Sequence, residues 1–251
     1  MNSAKAANRP RWGVLDVGLG VLYVAATTLV AVGVALGLDA AGVVGDSDDD
    51  VLLLGLISWA GLQIGLGTWP VLVSRWKGRG VASDWRLRFK PIDPLLGVGT
   101  AIIAVGLGAV AATLVANVVG LAPEEVEGNT QPITKAEGSI WLYALVVFVV
   151  VVAPLSEELF FRGLTLRAVE KRLGTVAAVV LSTLLFTVTH YTGGDLDQTA
   201  VLAAAIAGAG LVFAIVALQT DRLWPSIFGH MAFNGLAASR ALGLFGPETG
   251  S

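Results

Sequence analysis

The chain has 251 residues, 55% of them hydrophobic and 14% charged, where a soluble domain averages about 25% charged. That balance excludes an ordinary soluble enzyme, and a net charge of −3 provides no global basic field, so nucleic acid is not an expected partner. The absence of cysteine excludes disulfide frameworks, cysteine zinc sites, thiol nucleophiles and iron–sulfur clusters.

Seven stretches nearly free of Asp, Glu, Lys and Arg follow in chain order: Gly13 to Leu38, Val51 to Ser74, Pro94 to Ala122, Ser139 to Ser156, Leu173 to Gly194, Thr199 to Thr220 and Leu223 to Ser239. Each is close to the roughly 20 residues that cross the hydrocarbon core as a helix. None alternates apolar and polar residues as a membrane barrel does. The predicted fold class is therefore all-α, a polytopic membrane helical bundle of about seven transmembrane helices. The first stretch is longer than a signal-peptide core and reads as a retained helix. The expected organisation is an N-terminal tail (1–12), three helices with their loops (13–138), a catalytic helical core (139–246) and a C-terminal tail (247–251).

Of the 16 basic residues, 14 fall on one side of this arrangement. They are Lys5, Arg9 and Arg11 in the tail; Arg75, Lys77, Arg79, Arg86, Arg88 and Lys90 in the second loop; Arg162, Arg167, Lys171 and Arg172; and Arg222. The opposite loops carry Asp46, Asp48, Asp49, Asp50, Glu124, Glu125 and Glu127. Because loops that stay in the cytoplasm are enriched in Lys and Arg, a multi-pass protein of the cytoplasmic membrane with its N-terminus inside is expected. The lipid bilayer is then its first partner. The loop from Arg75 to Pro91, with Trp76, Trp85 and Phe89 among its cations, reads either as a topogenic loop or as a segment lying on anionic head groups.

Ionisable groups inside a span are costly and by default mark function. Three clusters stand out: Pro154 to Arg162 (PLSEELFFR), Phe186 to His190 (FTVTH) and His230 to Asn234 (HMAFN). Glu158 and Arg162 are one helical turn apart and can pair, which leaves Glu157 free, about 100° round the helix. Pro154 should kink the helix and free a carbonyl beside the carboxylates. His230 and Asn234 share a face, as do Phe186 and His190. If a helix runs through Glu157 to Arg172, turns at Leu173 and Gly174 and returns, Glu157 and His190 lie about 24 Å from the turn, at one level. By contrast, Gln63, Asn117 and the small residues Ala204 and Gly208 read as helix packing, and Asp16 as an interfacial residue.

Two carboxylates, two imidazoles and a carboxamide in a low-dielectric cavity suit water activation and oxyanion stabilisation, as in peptide hydrolysis. The same groups could hold a divalent metal such as zinc, with Glu157, His190 and His230 as candidate ligands. A proton-coupled transporter built on a Glu–His relay and a catalytically inactive membrane scaffold are the alternatives from other classes.

In this order and hydrophobic context, Glu157-Glu158-x-x-x-Arg162, Phe186-x-x-x-His190 and His230-x-x-x-Asn234 resemble the CPBP family of intramembrane proteases. These are the CAAX prenyl proteases and bacteriocin-processing enzymes, also called the Abi family. The resemblance covers about Ser139 to Arg240 and implies an intramembrane endopeptidase acting on a membrane-embedded or lipid-modified peptide or protein substrate. It implies that Glu157 and His190 activate water, that His230 and Asn234 bind the oxyanion or a metal, and that Glu158 and Arg162 support the site. Glutamate and metallopeptidase mechanisms both remain open at this point.

Overall fold

A computed structural model describes residues 11–45, 47–122, 133–134, 136, 138–191 and 193–244. Lys5, Arg9, Asp46, Glu124, Glu125, Glu127, Lys135 and the C-terminal tail 247–251 lie outside them. All seven apolar stretches contain helix, and the described residues contain no strand. The order is α1 (Val14–Ala40), α2 (Asp48–Lys77), a single turn α3 (Val81–Asp84), α4 (Asp93–Val119), α5 (Leu142–Val147), α6 (Ala153–Glu158), α7 (Leu166–Val188), α8 (Leu196–Thr220) and α9 (Trp224–Ala241). Phe148–Val152 and Leu159–Thr165 are π-helical and join α5, α6 and α7 into one continuous path.

Among the described residues, five segments are long and apolar enough to cross a membrane: α1, α2, α4, α8 and the run Leu142–Val188. That run folds back on itself at Gly174, whose φ of +82° and ψ of 174° belong to a region open to glycine alone. The turn thus sits where the sequence placed it. Ser182 Oγ donates to the Phe161 carbonyl at 2.8 Å across the two arms. The returning arm ends at Val188, too short to cross the hydrocarbon core fully at 1.5 Å per residue.

In lipid, apolar burial does not drive helices together; close packing and polar contacts do. The α4–α8 pair follows that rule. A Cβ on Gly208 would stand 2.9 Å from the Gly108 Cα, so the two backbones meet at the small-residue stripe that includes Ala204 and Gly208. α2 starts with Ser47 accepting from the Asp50 N–H at 3.2 Å, has Asp48, Asp49 and Asp50 in its first turn and ends with Arg75 and Lys77. Both ends therefore complement the helix dipole. The core gathers Val17 and Val24 of α1, Leu66 and Val73 of α2, Phe160, Phe161 and Leu164 of the second π-helical stretch, Phe186 and Ile227. Leu15, Leu22, Leu29, Ile102 and Val118 point outward, the surface a bilayer covers.

The basic segments meet at one end. The Arg11 N–H donates to the Lys77 carbonyl at 2.8 Å, and Lys77 pairs with Asp16 at 2.5 Å. Lys171 stands over the Trp12 ring, Arg86, Arg88 and Arg167 surround Asp221, and Arg222 grips buried Asp93 at 2.7 Å. Asp16, in the first turn of α1, is buried and ion-paired with Lys77. One expectation is corrected here. Arg162, grouped by sequence with the surface cations, is wholly buried, because its charge is used inside the bundle.

Candidate active site

The second half of the bundle brings Glu157, Glu158, Arg162, His190 and His230 together. Glu158 and Arg162, one turn apart, pair at 2.8 Å with both side chains fully buried. The guanidinium also donates to the Gly210 carbonyl of α8 at 3.0 Å and lies over the Phe186 ring, 4.2 Å from its centroid. Glu158 Oε1 additionally accepts from His230 Nδ1 at 3.2 Å. One carboxylate oxygen therefore fixes both a cation and an imidazole, which limits the cost of burying each charge.

Glu157 faces away from this pair. Its Oε2 is 3.9 Å from His190 Nε2 and 3.8 Å from His230 Nε2. His190 stands in the turn just past α7 rather than inside it, with Nδ1 2.9 Å from the Phe186 carbonyl and its ring 4.6 Å from the Phe186 ring. His230 stacks on Phe213 at 4.8 Å. A carbonyl and a carboxylate can only accept, so Nδ1 carries the hydrogen in both rings. In the neutral rings, each Nε2 then offers a lone pair within 4 Å of Glu157 Oε2. Three acceptors at that spacing call for a species that brings hydrogens or positive charge, and a water molecule does so.

A divalent cation would answer the same charge pattern, and the Nδ1 bonds resemble the outer contacts of metal-ligating histidines. Among the described residues, however, no group of three or more His, Cys, Asp or Glu is arranged to hold a metal ion.

Asn234 belongs to the same face of α9 as His230, but its Nδ2 donates to the Val149 carbonyl at 2.8 Å. The reason lies in Pro154. Ala153 N–H donates five residues back, to the Phe148 carbonyl. The next bond in that register would run from residue 154 to Val149, and proline has no N–H. The carbonyl freed by the proline is taken up by the carboxamide, which retains a second N–H and its oxygen. A π-helical stretch on either side of Glu157 and Glu158 follows a pattern common at functional sites.

One site residue was invisible to the sequence reading. Gln63 of α2, read as packing, is 8% exposed and donates through Nε2 to Glu157 Oε1 at 3.0 Å. Its Oε1 accepts from Ser156 Oγ. A lone glutamine in an apolar helix has no motif partner; only the fold brings it across 94 residues.

An all-helical membrane protein that holds a buried carboxylate against two imidazoles has the groups of a water-activating hydrolase. Residues 139–236 match the family model described as Rce1-like, type II CAAX prenyl endopeptidase. Over this segment, about two-fifths of the chain, the protein is similar to the type II CAAX endopeptidases, and its long apolar helices mark it as an integral membrane protein. No curated protein and no solved structure matches the chain.

Proposed function

We propose that this chain is an intramembrane endopeptidase that hydrolyses a peptide bond near the C-terminus of a membrane-associated, lipid-modified substrate. The carrying observation is the convergence of His190 Nε2 and His230 Nε2 on Glu157 Oε2, at 3.9 and 3.8 Å. Water held there loses a proton to Glu157, and its oxygen adds to the scissile carbonyl carbon. His190 orients the water. His230 accepts from the water through its Nε2 lone pair, and the second N–H of Asn234 stabilises the oxyanion. Collapse of the tetrahedral intermediate breaks the C–N bond, and Glu157 returns the proton to the departing amine. Glu158 holds His230 in place, and Arg162 ties Glu158 to the α8 backbone at Gly210. Buried π-helical backbone beside the carboxylates suits a hydrated cavity at membrane depth.

The test uses purified protein in lipid vesicles and a quenched fluorescent peptide ending in a farnesylated cysteine followed by three residues. Release of the tripeptide, identified by mass, is the expected result. Activity should survive chelation and elemental removal of zinc, because among the described residues no group of three or more metal-ligating side chains is arranged to hold an ion. Activity lost on chelation and restored by zinc would replace the carboxylate mechanism with a metal-assisted one. An intact peptide accompanied by proton-coupled solute flux would favour a transporter.

A further inference from the structure

Glu157 uses its two oxygens differently. Oε2 faces both imidazoles, whereas Oε1 receives the Gln63 carboxamide at 3.0 Å. An ionised carboxylate only accepts, so the NH₂ end of Gln63 must face it. This leaves the Gln63 carbonyl toward Ser156, whose hydroxyl donates to it. The chain Ser156 to Gln63 to Glu157 therefore has one polarity, and all three members are buried. α2 can approach closely enough because residue 67 is glycine: a Cβ there would stand 3.3 Å from the Ser156 Cβ. Leu66, one residue earlier, and Phe160 are each 1% exposed in the shared core. α2 lies wholly outside the segment 139–236 that carries the family match.

We propose that Gln63 is a positioning residue for the general base. It locks the Glu157 side chain in the rotamer that turns Oε2 to the water site, and Ser156 orients Gln63 in turn. The N-terminal helices thus complete the catalytic centre as well as surrounding it. The inference rests on the peptidase reading above and makes two demands of its own. Because Gln63 touches neither water nor substrate, its loss should act on turnover and leave substrate binding alone. Because Ser156 acts through Gln63, the two should not be additive.

The test measures steady-state cleavage of the farnesylated reporter by the full chain in vesicles. Gln63→Met, which keeps the length of the side chain, should lower kcat by roughly tenfold to a hundredfold, the scale of a misplaced catalytic group, with KM within twofold of wild type. Ser156→Ala should lower kcat less, and Gln63→Met/Ser156→Ala should be no slower than Gln63→Met alone. A parallel measurement needs no substrate. In ¹⁵N-labelled protein the Gln63 side-chain amide, assigned by its loss in Gln63→Met, should exchange its hydrogen at least tenfold faster in Glu157→Leu than in wild type. Additive losses, a rise in KM alone, or amide exchange indifferent to Glu157 would overturn the positioning role. Glu157→Gln at wild-type speed would instead sink the peptidase reading. An uncleaved reporter would also count against that reading, and the amide exchange alone would then decide whether Gln63 holds Glu157.

Discussion

At the scale of single residues, the two adjacent glutamates divide the work by what they face. Glu158 is fully buried, held by Arg162 at 2.8 Å and by His230 Nδ1 at 3.2 Å. Glu157 faces two imidazole nitrogens without being tied to a cation. Glu157→Gln keeps shape and a hydrogen-bonding side chain but removes the base. Turnover of the reporter should fall by about 10²- to 10⁴-fold while the melting temperature in detergent stays near wild type. Glu158→Gln strips the charge from a buried ion pair, a loss of roughly 3–5 kcal/mol where a partner is removed. It should appear as a lower melting temperature and poorer yield together with partial activity. Reversal of the two phenotypes would exchange the roles of the carboxylates. This pairing was legible in the sequence, since a Glu and an Arg four residues apart on a helix leave few other options. Gln63 was not, because its hydrogen bond to Glu157 depends on how α2 docks, and no local pattern records that.

At the scale of elements, the hairpin through Gly174 sets the level of the site. Glu157 and His190 are equidistant in sequence from that turn, and their side chains meet. Counting residues at a fixed rise was enough to predict this, because a glycine turn between two apolar helices leaves little freedom in register. The π-helical register was not predictable in the same way. Proline announces a missing N–H but does not say which carbonyl loses its donor or what replaces it. Here Asn234 replaces it at Val149. Asn234→Ala should therefore cost stability as well as rate, about 1–3 kcal/mol for a partly buried carbonyl left unpaired. In a Pro154→Ala background residue 154 can donate for itself, so the stability cost of Asn234→Ala should shrink below that seen with proline present. Thermal unfolding of the four proteins of this cycle measures the coupling, and equal costs in both backgrounds would remove the proposed link between the proline and the asparagine.

At the scale of the whole molecule, the described segments around Arg11, Lys77 to Arg88, Arg167 to Lys171 and Arg222 meet at one end, through contacts as specific as Arg222 with Asp93 and Lys171 over Trp12. Folding brings together four segments far apart in the chain, and each is held there by an acidic or aromatic partner. Asp48, Asp49 and Asp50 start α2 and the Arg75–Lys77 turn ends it, so a single 30-residue helix separates an acidic end from a basic one. Cytoplasmic retention of the basic end would set the N-terminus inside. The chain lacks cysteine, so single substitutions report on topology without background. Ser83 in the exposed part of α3 and Asp48 at the start of α2 are both solvent-facing. Ser83→Cys should react with a membrane-impermeant maleimide only after the membrane is opened, and Asp48→Cys should react in intact cells. Labelling of Ser83→Cys in intact cells would invert the protein in the membrane.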